Sequence, residues 1–244
     1  MEQENVGLYL GMDISEKYTM ISIYQQHMKE PQTISTIMGS ESYQIPTALA
    51  KKKGVGQWFF GREAKVRVKS GEALGVEDLL DKARTGEEVF LEHEKYAASD
   101  LLAIFLKRVL SLAGSAQAMM PLTKLVICLD KVSVEYMELF SAIMVKLGIE
   151  TDKLLLIDRR ESFYYYALSQ GPETFLHDVV MFDYTESDMV SCRLRRNMHT
   201  TPQVINLDQK NHGKLLDQKD GEFQKIAQDV IDGQVVSAVY LIGD

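Results

Sequence analysis

The chain is poor in the features that place a protein quickly. Only two cysteines occur in 244 residues, Cys128 and Cys192. They lie far apart inside apolar runs without CxxC or Cys/His spacing, so no disulfide framework or zinc motif is expected and both read as reduced core thiols. No apolar run approaches the roughly 18 to 20 residues that a membrane-spanning helix requires, and the opening MEQENVG is polar, unlike a signal peptide. A cytoplasmic protein is the expectation. An excess of basic charge is missing too: 27 Lys and Arg against 35 Asp and Glu leave a net charge of −8. The short Lys51-Lys52-Lys53 run does not offset this, so neither nucleic acid nor an anionic membrane is expected as a partner. His27, His93, His177, His199 and His212 form no HExxH or HxH pattern, and neither a GxSxG elbow nor a GxxxxGK(S/T) loop occurs, which leaves metallohydrolase, serine-hydrolase and P-loop chemistry without support.

What the chain does have is 45% hydrophobic residues, enough for a sizeable core in one large domain or two small lobes. Its organising stretch is Gly7 to Tyr24. Leu8, Leu10 and Met12 alternate up to Asp13, a polar run follows, and β-forming residues resume at Tyr18, which spells a β-hairpin with an acid at its mouth. The arrangement returns in Val179 to Arg195, where an apolar run again ends on an aspartate. Both turns read acid, apolar, hydroxyl, acid: Asp13-Ile14-Ser15-Glu16 and Asp183-Tyr184-Thr185-Glu186. Either these are two unrelated hairpins of an α/β protein, or two related halves each offer a turn to a shared cleft.

The order of segments resembles the superfamily of actin, the sugar kinases and the seventy-kilodalton heat-shock chaperones. In the chaperone branch the first phosphate-binding hairpin reads G-I-D-L-G-T-T, and Gly11-Met12-Asp13-Ile14-Ser15-Glu16-Lys17 is similar to it. The second reads F-D-L-G-G-G-T, and Phe182-Asp183-Tyr184-Thr185-Glu186-Ser187-Asp188 falls on it. Tyr43 to Ala48 resembles the V-P-S segment, Phe60 to Lys65 resembles I-G-D-A-A-K, and Val239 to Gly243 resembles the strand that leads to the adenosine-binding glycine pair. The resemblance covers nearly the whole chain in order, although no single motif is intact. It implies an α/β, ribonuclease H-like two-lobe architecture, mixed sheets flanked by helices, from a bacterial family without assigned function. The first lobe would span 1–171, with a small irregular insertion at 43–92 rich in turn signals, and the second, incomplete lobe would span 172–244. The superfamily's closing helices would lie beyond Asp244, so the sequence reads as cut short.

Local patterns fill in this frame. A third strand can follow the first hairpin at Gln32 to Met38. Trp58-Phe59-Phe60 either closes a thin subdomain or forms a recognition patch. Helical spacing covers Glu94 to Ala113 and Ser133 to Leu147, with Leu122 to Leu129 a buried strand between them. Lys153 to Ile157 reads as strand and Glu161 to Leu168 as helix, and Gly171-Pro172 reads as the boundary between lobes. The second lobe offers strands at Val179 to Asp183, Met189 to Arg195 and Thr201 to Leu207, a polar loop, a helix from Asp220 to Ile231, and a last strand at Val235 to Ile242.

A phosphate-gripping turn needs small residues so that successive backbone N–H groups can approach the anion, and a carboxylate nearby to position Mg²⁺ or its water. By the resemblance, Asp13 and Asp183 stand in the catalytic and metal-positioning places, and Ser15, Lys17, Thr185, Ser187 and Gly243 in the nucleotide-contacting ones. The glycines of both turns are replaced, however, and Glu16 and Glu186 add negative charge where a triphosphate would sit. At about 4 Å each such pair of charges repels by roughly 1 to 4 kcal/mol. Arg159 and Arg160, where the chaperones carry an acid before a helix, either neutralise Glu16, Glu186 or Asp188, or bind another anion, or are simply solvated. The acids Asp13, Glu16, Asp183, Glu186 and Asp188 together could also hold Mg²⁺ or Ca²⁺. The expectation is a degenerate nucleotide-binding fold without bound cofactor, acting as a non-catalytic binding or scaffolding module for a protein partner. The alternative is a divergent ATPase or small-molecule kinase that positions Mg-ATP with Asp13 and Asp183.

Overall fold

Leu8, Leu10, Met12 and Ile14 are all but fully buried, and the residues between them are not. That period of two makes Leu8–Ile14 a strand (β1) with one apolar face. A computed structural model describes residues 7–37, 39–114, 121–185, 188–196, 205–215 and 219–243. The chain divides into two compact units, Met1–Arg159 and Arg160–Asp244.

In the first unit β1 pairs antiparallel with β2 (Tyr18–Gln25), which pairs with the two-residue β3 (Gln32–Thr33) and, at its other end, with β4 (Ile45–Pro46). The expected third strand is therefore only its first two residues; Met38, its far end, lies outside the described residues.

Residues 43–92 are more regular than their Gly and Pro content implied. β5 (Leu49–Lys52), β6 (Trp58–Phe60) and β7 (Ala73–Val76) form a small sheet ordered β6-β5-β7, with α1 (Gly61–Lys69) against it. Ala50, Phe59, Ala64 and Ala73 make its separate core. Small side chains let a helix lie close on a three-stranded sheet, so few apolar residues are needed and the usual periodic signal is weak.

Beyond this subdomain come α2 (Leu79–Thr85), the hairpin of β8 (Glu88–Leu91) and β9 (Glu94–Ala97), and α3 (Ala98–Ser111). α3 begins later than its spacing suggested because Glu94–Ala97 pairs with β8 first. Then follow β10 (Leu122–Leu129), α4 (Val134–Leu147) and β11 (Leu154–Asp158). Ser133 caps α4 by accepting the Tyr136 N–H, and Gly148 closes it at φ 72°, the left-handed conformation that glycine adopts without strain. β10 lies parallel to β1, and β11 parallel to β10, so the sheet runs β11-β10-β1-β2-β3. One face of it meets α3 and α4 through Leu10, Met12, Leu125, Ile127, Leu101, Phe105, Phe140 and Ile143, the main core of the molecule.

The second unit starts with α5 (Arg159–Ser169) after its first residue. The division thus falls ahead of this helix and not at Gly171-Pro172, because Phe163 and Ala167 of α5 build a core with Val179, Met181, Cys192 and Leu194. β12 (Asp178–Tyr184) pairs antiparallel with β13 (Met189–Arg196), which pairs with β14 (Ile205–Asn211). After α6 (Lys219–Ile231), β15 (Val236–Gly243) returns parallel to β12, so this sheet runs β14-β13-β12-β15. α6 packs on the opposite face from α5, over Val180, Phe182 and Met189. β14 lies later than expected: the polar stretch read as loop, Asp208-Gln209-Lys210, is strand. It is the edge of the sheet, where polar side chains are usual and the period-two signal is lost. Residues 201–204, the start of the expected strand, lie outside the described residues.

The fold is mixed α/β, with two mixed sheets and six helices among the described residues. The second sheet repeats the first. In each, the first strand is central and antiparallel to the second, with the third beside the second, and it is parallel to a strand that comes later in the chain, β10 in the first sheet and β15 in the second. No helix among the described residues is long and apolar enough to cross a membrane. Both cysteines are buried and neither is in a disulfide.

Phe140 is fully buried between α4 and the sheet. Phe140→Ala is expected to lower unfolding stability by about 3 to 5 kcal/mol in urea titration, as a large core side chain is lost without a replacement.

Candidate functional site

The two hairpin turns share three hydrogen bonds. In the first, the Ser15 N–H donates to the Tyr18 carbonyl (2.9 Å), the Ser15 hydroxyl donates to the same carbonyl (3.1 Å), and the Tyr18 N–H donates to Ser15 Oγ (3.2 Å). In the second, the Thr185 N–H donates to the Asp188 carbonyl (2.9 Å), the Thr185 hydroxyl to that carbonyl (3.2 Å), and the Asp188 N–H to Thr185 Oγ1 (3.2 Å). A hydroxyl at the first turn position closes each loop on itself. Ser15 and Thr185, read from sequence as nucleotide-contacting, both serve their own turns.

The two aspartates hold corresponding places. Each is the last residue but one of its strand. Asp13 lies opposite Met20 on the antiparallel side and Cys128 on the parallel side, and Asp183 lies opposite Val190 and Ile242. Asp183 is buried at 7% exposure, and the Arg160 Nε sits 3.3 Å from its Oδ2. Arg160 is the second residue of α5, so this helix brings a guanidinium to the end of β12. The sequence leaves the arginines three roles, pairing with Glu16, Glu186 or Asp188, binding another anion, or facing solvent; the acid that Arg160 meets is instead the candidate catalytic one. Arg159 turns elsewhere, into an ion pair with Asp130 at the end of β10, with only 11% of its side chain exposed.

The remaining acids are engaged structurally. Glu16 receives the backbone N–H groups of Leu80 (3.3 Å) and Asp81 at the start of α2, where a carboxylate satisfies otherwise unpaired helix donors. Glu16 as a whole residue is exposed, but desolvation around its carboxyl group outweighs those two hydrogen bonds and pushes its pKa up, with Asp78 and Asp81 adding to the rise. Asp188 accepts from Thr185 (3.1 Å) and from Asn211 Nδ2 of β14 (2.9 Å), tying the turn to the sheet edge. Glu186 and Ser187 lie outside the described residues. Lys17 lends its carbonyl to the Thr47 N–H. Among the described residues no group of three or more His, Cys, Asp or Glu is placed to hold a metal ion.

Gly243 ends β15 beside Tyr184. At φ 125°, a Cβ added there would stand 1.7 Å from the Tyr184 carbonyl oxygen. The glycine is thus required by the close approach of two strand ends, whatever else it contacts. Asp244 lies outside the described residues.

Sequence reasoning missed one cluster in the second unit. The buried Ser191 hydroxyl lies 2.8 Å from His212 Nε2, beside a cavity of about 250 Å³ shared with Lys210 and Asp229. Burial and then Lys210 lower the His212 pKa. The pair joins β13 to the residue just after β14, and no spacing along the chain signals it.

Residues 30–244 match a family described as "Family of unknown function (DUF5716) C-terminal". The chain belongs to that family. The family match takes in the small subdomain, Asp183 and the whole second unit, and begins after Asp13 and the first hairpin. No curated protein matches the chain.

The raised Glu16 pKa means the folded protein holds that proton more readily than the unfolded chain. The associated stability is full below the ordinary carboxylate range and is lost as pH rises through the raised value. Glu16→Gln, which keeps an acceptor for α2, is therefore expected to be at least as stable as the parent at about pH 7 and to lose that advantage at about pH 4, in urea titrations at both. Glu16→Ala removes the acceptors and is expected to cost about 0.5 to 2 kcal/mol at neutral pH. Gly243→Ala is expected to destabilise by more than about 1 kcal/mol, since the added methyl meets backbone at a positive φ.

Proposed function

We propose that the chain is a degenerate relative of the actin, sugar-kinase and chaperone superfamily that acts as a non-catalytic binding or scaffolding module. The observation that carries this reading is the ion pair between Arg160 and Asp183. A nucleotide-hydrolysing site needs its acid open to a metal or to metal-bound water. Here the buried acid of the second turn faces a guanidinium, which offsets its charge.

The turns support the same conclusion. Ser15 and Thr185 close their loops through side-chain and backbone hydrogen bonds, and neither turn has the run of glycines that lets several N–H groups converge on phosphate. The repeated strand order and repeated turn support descent of both units from one ribonuclease H-like plan, which is an argument about architecture and not about activity.

A second reading, a divergent ATPase or kinase using Asp13 and Asp183 with Mg-ATP, is favoured by one fact: both acids keep the same position in their strands. Calorimetric titration with Mg-ATP separates the two. The module reading expects no saturable heat up to about 1 mM nucleotide, whereas a Kd of about 1 µM that disappears in Asp13→Ala would overturn it.

A further inference from the structure

Strand alternation sends the three aromatics of β6 in two directions. Phe59 enters the small core with Ala50, Ala64 and Ala73, while Trp58 and Phe60 face the outer side of α3. There α3 leaves Ile104 38% exposed, with Lys107 and Arg108 exposed one turn further on. Together with Leu49 these side chains line a largely apolar cavity of about 380 Å³, at the lower end of the roughly 300 to 1,000 Å³ of ligand pockets. That is room for one large apolar side chain.

The walls are fixed and the rim is charged. Tyr96 packs edge-on against Trp58, with ring centroids 5.4 Å apart. The Arg108 guanidinium lies 5.1 Å from the Phe60 ring centroid, a cation–π contact that keeps the cation beside the opening. Among the described residues neither Lys107 nor Arg108 forms an ion pair with an acid. Two adjacent cations without an acid partner among the described residues, set beside an aromatic pocket, are notable on a chain of net charge −8.

We infer that this cavity docks an acidic peptide segment of a partner protein, with one aromatic side chain seated against Trp58 and Phe60 and flanking carboxylates on Lys107 and Arg108. The inference rests on the binding-module reading and gives it a site and a partner chemistry. Aromatic anchors in a pocket with a charged rim are the usual energetic centre of such contacts.

Trp58 is the chain's single tryptophan, so its emission reports on this site alone. The test titrates the full chain with a capped peptide of about seven residues, a central phenylalanine flanked by glutamates, long enough to span one anchor and its rim. The expected result is a saturable change in emission, weakened by salt, about tenfold or more weaker for the alanine-centred peptide, and absent for the lysine-flanked one. Ile104→Glu, and Lys107→Glu with Arg108→Glu, alter exposed positions; both are expected to abolish the response with unchanged circular dichroism. No emission change at millimolar peptide, equal responses to all three peptides, or undiminished binding by folded Ile104→Glu would overturn the inference. Failure here together with silence toward Mg-ATP leaves the module reading standing, whereas nucleotide binding removes that reading without altering the peptide result.

Discussion

A carboxylate at the end of a buried central strand has to be compensated, because an isolated charge removed from water is unstable by several kcal/mol. In the second unit that constraint governs the layout. Asp183 stands last but one in β12, and α5 starts where its second residue, Arg160, meets the acid. The same helix then lays Phe163 and Ala167 over the sheet. One helix thus supplies both the counter-charge and the apolar cover, so its N-terminal position and its buried face are set together. Replacing a buried pair by matched apolar groups is often tolerated, but losing one partner is not, which ties Arg160 to Asp183 as a unit.

The repeated turn shows how a structural device can occupy a site that resembles a functional one. A serine or threonine at the first loop position bonds the backbone three residues on, and the loop needs nothing further to hold its shape. Glycines in the same place would leave N–H groups to point outward. A hydroxyl residue there satisfies the turn from within, and the neighbouring acids are engaged as well: Glu16 with the start of α2 and Asp188 with Asn211.

Much of this was legible in the sequence, and the exceptions have physical causes. Two kinds of element were plain: the short apolar run of Leu122–Leu129, and the helix from the Ser133 cap to Gly148, with its helical spacing and clear end signals. The paired hairpins were visible because Asp, an apolar residue and a hydroxyl recur in one order. The small sheet around Ala50 and Ala73 was not, since alanines pack it without making an apolar stripe. β14 was placed too early because the second half of this edge strand, with Asp208 and Lys210, gives no alternation. Partner choice was the least legible: nothing local says that Arg160 should reach Asp183 while Arg159 turns to Asp130, or that Ser191 should meet His212, because only the fold brings those residues together.

α5 also decides how the molecule can be dissected. Its buried side chains belong to the second core although the helix precedes the Gly171-Pro172 break. A fragment beginning at Gly171 would bare Val179, Met181, Cys192 and Leu194 on one broad oily sheet surface, a template for self-association. A fragment that keeps the whole helix retains its own lid.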